Sequence, residues 1–152
     1  MAETKRVLIL CTGNSARSQM AEGLLRHDGG EQFEVESAGV RPGSVRPEAI
    51  AVMRELDIDI SGHRSKSVDE FMGQRFDYII TVCDNARETC PVFPGAATRI
   101  HQSFTDPPAP GAASPEETLG CFRRVRDEIR HWLGSFMLET TLETGTDRVD
   151  RR

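Results

Sequence analysis

Cys11 and Arg17 bracket the stretch CTGNSAR, a thiol and a guanidinium six positions apart with only small or polar residues between them. A thiolate is a nucleophile, and a guanidinium offers a planar donor fork to a tetrahedral oxyanion. The residues between them suit a loop wrapped around such an anion. Gly13 permits unusual backbone angles, and Asn14 tolerates the left-handed region. With Thr12, Ser15, Ala16 and Ser18 they form a candidate oxyanion-binding loop, residues 12–18, that opens into a helix. N–H groups at a helix start favour anions, and the same field favours a thiolate at Cys11. An ordinary thiol near pKa 8.5 is only about 3% ionised at pH 7, so that field matters to its reactivity. The chain has neither a Walker-type Gly-Lys-Ser/Thr nor a GxGxxG.

Two more thiols, Cys83 and Cys90, lie seven apart in CDNARETCP. Together with His101 they match no standard zinc spacing, so no metal site is expected. Asp106 stands in FTDPPAP, where Pro107 and Pro108 stiffen the loop and hold the acid extended. A proton donor that must meet a leaving group benefits from such a mount. Cys121 falls near Leu119 and Phe122 on a helical stripe and reads as core. His27, His63 and His131 have no partner visible in the sequence and read as surface or packing residues.

The elements that must position these groups alternate strand and helix. Arg6–Cys11 is a short apolar run, typical of a strand covered on both faces. A helix follows over Ser18–His27, DGGEQ breaks it, and Phe33–Val40 alternates as a second strand. Pro47 opens a helix with Ile50, Met53 and Leu56 on one side, and SVDE at Ser67–Glu70 has capping-box form. Phe76–Cys83 and Thr98–Phe104 are the third and fourth strands. SPEE at Ser114–Glu117 starts a final helix whose apolar residues run from Leu119 to Phe136. The pattern stops at Glu139, so a single domain over 1–138 with a flexible tail over 139–152 is expected. Such alternation implies an α/β fold: a four-stranded parallel sheet with helices on both faces. Sites in these sheets lie beyond the carboxyl ends of the strands. Cys11 and Cys83 end predicted strands and Asp106 follows another, so all three converge on one edge.

Composition narrows the class. The formal net charge is -5, with 38% hydrophobic and 28% charged residues. That balance argues against nucleic acid as the main partner, because binding DNA or RNA needs a basic face. No apolar run approaches the roughly 20 residues of a membrane span, and Val7–Cys11 is too short for a secretory core. A cytoplasmic monomer is expected, and four cysteines in such a chain suggest catalysis, redox or metal rather than a permanent disulfide framework.

CTGNSARSQMAE resembles the phosphate-loop signature of the low-molecular-weight tyrosine phosphatase fold, and more narrowly that of the thioredoxin-coupled arsenate reductases built on it. The likeness extends to SAGV at Ser37–Val40, DIDISGH at Asp57–His63, the cysteine pair and RVRDEI at Arg124–Ile129. One departure is Ala16, where the loops of these families commonly carry a cysteine. The resemblance implies that Cys11 attacks arsenic held in the loop, with Arg17 binding the anion and Asp106 as proton donor. It further implies a Cys11–Cys83 disulfide, then a Cys83–Cys90 disulfide that reduced thioredoxin reopens, with no bound cofactor. The electron count agrees: reducing As(V) to As(III) takes two electrons, and closing one disulfide supplies two. If Cys83–Cys90 is helical, seven steps span about 10 Å, whereas a disulfide needs Cα atoms within about 7 Å, so residues 83–93 must change order on oxidation.

Two rival readings remain at this stage. A low-molecular-weight phosphatase would work through a Cys11-phosphate intermediate, and an arsenic or redox sensor would use the same thiols without turnover. Phosphatases of the fold usually carry tyrosines after the Asp–Pro, whereas this chain has prolines there and its only tyrosine is Tyr78. Some relatives bind a monovalent cation beside the loop Asn. Asn14, Glu22 and Ser37 match that set, but Lys66 stands where those relatives have Asp, so no bound potassium is expected.

Overall fold

The computed structural model describes residues 4–84, 93 and 95–150, with 142–150 as backbone. In chain order the elements are β1 (Lys5–Cys11), α1 (Arg17–Gly29), β2 (Phe33–Gly39), α2 (Pro47–Arg54), β3 (Tyr78–Thr81), β4 (Thr98–His101) and α3 (Pro115–Asp150). The four strands form one parallel sheet in the order β2-β1-β3-β4. The chain leaves β1 for β2 on one side and returns to β3 on the other. That reversal opens a crevice at the carboxyl ends of β1 and β3, where sites of such sheets form.

Burial explains the sheet. Val7, Leu8, Ile9 and Leu10 are fully buried, so β1 is covered on both faces and its sequence is a continuous apolar run. Met20, Ala21, Leu24 and Leu25 of α1 pack with Phe122, Val125, Ile129, Leu133 and Phe136 of α3 in the same core. Each such buried aliphatic or aromatic side chain is worth roughly 1.5–3 kcal/mol. Trp132 stacks on Phe136, whose ring also meets Phe33 and Tyr78 edge-on or tilted.

The elements match the sequence reading in kind and order, and differ at their ends. β3 and β4 are shorter than expected, but their ladder bonds continue past them: Val82 N–H donates to Leu10 O, and Phe104 N–H to Val82 O. Ser114 caps α3 as its motif implies, accepting from the Glu117 N–H at 3.1 Å. Ser67 accepts from Asp69 N–H instead, and only a short 3₁₀ turn, Val68–Phe71, follows. The largest difference in element bounds is at the carboxyl end, where α3 runs on to Asp150. A helix needs no apolar stripe to continue. Thr140 and Thr141 turn their hydroxyls onto the carbonyls of Phe136 and Met137, four residues back, and so stay within the helix. Among the described residues no helix is long and apolar enough to cross a membrane.

Candidate active site

The loop after Cys11 is held from outside by its carbonyls. Val40 N–H donates to Cys11 O, Arg41 N–H to Thr12 O, Gly43 N–H to Gly13 O and Arg46 N–H to Ser15 O. Gln19 Nε2 takes Asn14 O at 3.0 Å, and Met20 N–H takes Ala16 O as α1 begins. A trans peptide points its N–H opposite to its carbonyl. Six carbonyls turned outward therefore turn the following N–H groups inward, into a concavity that suits an oxyanion. The mould is the segment 40–46, which the sequence reading left without a role.

Asn14 takes the expected left-handed conformation, φ 49°, and is wholly buried. Gly13 does not: it has no positive φ, and its carbonyl is instead held by Gly43 N–H and by Ser65 Oγ at 2.9 Å. Asn14 Nδ2 donates to Ser18 Oγ and Ser37 Oγ, and its Oδ1 accepts from Gln19 Nε2 and from Lys66 N–H at 2.8 Å. Ser37 in turn donates to Glu22, and His63 Nδ1 lies 3.0 Å from Gln19 Oε1. Burial pushes the His63 imidazole below the ordinary histidine range, against the pull of Glu22. His63 is thus a partnered support of the loop, where the sequence suggested a surface or packing residue.

The family's cation set does not fit here. Asn14 Oδ1 already accepts twice, and Lys66 Nζ lies 3.4 Å from Glu22 and 3.6 Å from Glu36. The buried carboxylate therefore has an ammonium beside it. Potassium and sodium chloride at equal ionic strength are expected to give the same melting temperature. An ion held at 100 times its Kd would add about 2.7 kcal/mol, so a potassium-specific rise would overturn this.

The reactive groups meet at the crevice. Cys11 closes β1 and Cys83 lies two residues past β3, both as buried free thiols. They lie near each other, and Thr12 Oγ1 lies 3.1 Å from Cys83 Sγ. The Cys83 sulfur and burial push the Cys11 thiol up, against Arg17 and the Thr12 N–H, which pull it down. Arg17 and Ser18 start α1, with Arg17 only 11% exposed. Arg17 Nη1 donates to Phe104 O at 3.1 Å, and its Nη2 lies 3.4 Å from Asp106 Oδ1. Asp106 is 75% exposed, at the mouth of the site. Cys121 is buried in the core, as its position on the stripe implied. Cys90 lies outside the described residues, and with it the expected order change over 83–93.

Comparison with known proteins agrees with this geometry. The family model of the low molecular weight phosphotyrosine protein phosphatases matches residues 6–147. An arsenate reductase of Halalkalibacterium halodurans is 42% identical over 132 residues, covering 87% of this chain and 94% of that protein. A solved arsenate reductase in its phosphate-binding state superposes with a TM-score of 0.72 at 30% identity, covering 90% of this chain and 98% of that one. A thioredoxin-dependent arsenate reductase from Corynebacterium glutamicum gives 0.62 at 27% identity, covering 90% and 63%. A thiol-bearing oxyanion loop at the switch point of a four-stranded parallel sheet, matched over nearly its whole length, places this chain in the low molecular weight phosphotyrosine protein phosphatase family.

Proposed function

We propose that the protein is an arsenate reductase that works by a three-cysteine relay and is regenerated by thioredoxin. The observation that carries this reading is Cys83, whose sulfur lies against Cys11 at the oxyanion loop. Hydrolysis needs one thiol, whereas a two-electron reduction needs a second within reach. The relatives named as arsenate reductases, one of them thioredoxin-dependent, support it.

The steps follow from the groups present. The loop N–H groups and Arg17 hold arsenate, and the Cys11 thiolate forms a sulfur–arsenic bond as one arsenic–oxygen bond breaks. Asp106 gives its proton to that oxygen, which leaves as water. Cys83 then attacks the Cys11 sulfur. The sulfur–arsenic electron pair stays on arsenic, arsenite leaves, and Cys11–Cys83 closes as a disulfide. Cys90 displaces Cys11 from Cys83, and the dithiol of reduced thioredoxin reopens Cys83–Cys90 by exchange, becoming oxidised itself. A relay of this kind belongs in the reducing cytoplasm, and its role is arsenic detoxification. No metal or bound cofactor enters any step, and a monomer suffices.

The test is thioredoxin-dependent NADPH oxidation with arsenate in the presence of thioredoxin reductase. The wild type is expected to turn over, and Cys83→Ser and Cys90→Ser are expected to stop it. Phosphatase activity that survives both changes, without reductase turnover in the wild type, would mark a phosphatase. Stoichiometric arsenic binding without turnover would mark a sensor.

A further inference from the structure

The loop that carries Asp106 has an unusual difficulty. Pro107, Pro108 and Pro110 have no N–H to donate. After Phe104 N–H bonds Val82 O, the next described backbone bond inside this loop is Ala112 N–H to Ala109 O. Three prolines thus remove N–H donors around Asp106, and carbonyl acceptors are left to do much of the holding. Two of those carbonyls are taken by arginines, one on each side of the acid. Arg17 Nη1 holds Phe104 O at 3.1 Å, and Arg46 Nη1 holds Pro108 O, also at 3.1 Å.

Arg46 is built to be rigid. Its side chain is only 15% exposed. Nε and Nη2 pair with the two carboxylate oxygens of Glu48, each at 3.3 Å, so the fork is fixed in its plane. Its Cζ lies 5.0 Å from the centre of the Phe122 ring on α3. Its own N–H donates to Ser15 O at 2.9 Å, in the middle of the oxyanion loop. One residue thus grips the nucleophile's loop through its backbone and the acid's loop through its side chain.

We propose that Arg46 is a positioning residue for the reaction, fixing the Asp106 loop at a set distance from the oxyanion loop. This rests on the reading of Asp106 as the proton donor. It needs no contact between Arg46 and substrate. General acids contribute about 10²–10⁴-fold, and small misplacements forfeit much of that. An acid loop released at Pro108 keeps its Phe104 anchor, so a partial loss of about 10-fold is expected.

The experiment is a double-mutant cycle in the coupled arsenate assay, using Arg46→Met, Asp106→Asn and both together. Competitive inhibition by inorganic phosphate reports the oxyanion loop. Arg46→Met is expected to lower kcat about 10-fold in the wild-type background and to change it less than about twofold in the Asp106→Asn background. The phosphate inhibition constant should stay within about twofold. Arg46→Lys, which keeps a cation over Phe122 but lacks a fork to span Glu48 and Pro108 O, should show the same loss with a near-native melting temperature. It stands in if the Met variant is unstable. Equal losses of kcat in both backgrounds, or weakened phosphate inhibition, would show Arg46 acting elsewhere and overturn the proposal. So would wild-type turnover in both Arg46 variants while Asp106→Asn is impaired. Wild-type turnover in Asp106→Asn would remove the general acid itself, and the proposal with it.

Discussion

Replacing Cys83 with alanine is expected to end arsenate turnover and, at the same time, to make Cys11 alkylate faster at neutral pH. The loss follows from the electron count, because no other described thiol touches Cys11 to close a disulfide. The gain follows from the contact that raises the Cys11 thiol. The Cys83 sulfur is the largest cause, and burial is the next. Alanine removes the first and loosens the second, leaving Arg17 and the Thr12 N–H to stabilise the thiolate. The sign is therefore fixed: the alkylation profile moves to lower pH. Each tenfold gain in thiolate fraction costs about threefold in intrinsic nucleophilicity, so the net rise is about threefold for each such step. The measurement is iodoacetamide labelling of Cys11 against pH, read by mass spectrometry, beside the coupled assay. Labelling that is unchanged or slower would show that Cys83 does not hold the Cys11 proton in place. Sustained turnover would remove Cys83 from the relay.

Much of the site was legible because it is local. A strand, six small residues and a helix put Cys11 and Arg17 in one loop, and strand endings alone brought Cys83 and Asp106 to the same edge. The order β2-β1-β3-β4, by contrast, is set by long-range packing that no local pattern records. The supports of the loop were also hidden. Val40, Arg41, Gly43 and Arg46 bond it through backbone N–H groups, which every residue but proline carries, so their side chains announce nothing. His63 looked unpartnered because its partners, Gln19 and Glu22, lie more than forty positions away in sequence. Gln19 itself sits in the signature stretch, but its role is visible only in space, where its amide reaches Asn14 O, Asn14 Oδ1 and Arg64 O. The run-on of α3 escaped for the opposite reason: apolar periodicity reports burial, and a helix can continue without it.

Gly39→Ala is expected to damage both stability and catalysis, although the residue bears no reactive group. Gly39 ends β2 opposite Cys11, and its N–H donates to Lys66 O at 2.8 Å. A methyl there would stand 2.7 Å from Thr12 O, 2.9 Å from Asn14 N and 3.0 Å from Asn14 Cβ. These are backbone atoms of the oxyanion loop or lie next to them, so no flexible side chain can step aside. β2 cannot retreat either, because Val40 and Arg41 donate to Cys11 O and Thr12 O and would carry the loop with them. The clash must then be absorbed by the concavity itself. Overpacking of this kind costs about 1–3 kcal/mol, and a shift near 1 Å at reacting groups costs about 100-fold in rate. Both kcat and the phosphate inhibition constant should worsen, since the anion's own N–H donors have moved. That pattern separates Gly39 from Arg46, whose loss should leave phosphate binding intact. Gly43→Ala supplies the control within the same mould: a methyl there meets nothing within 4 Å, and its N–H to Gly13 O remains. Near-native activity in Gly43→Ala with a collapse in Gly39→Ala is the expected pair. Full activity in Gly39→Ala would mean that the loop can yield at Thr12 and Asn14, and the mould formed by residues 40–46 would not be what shapes the site.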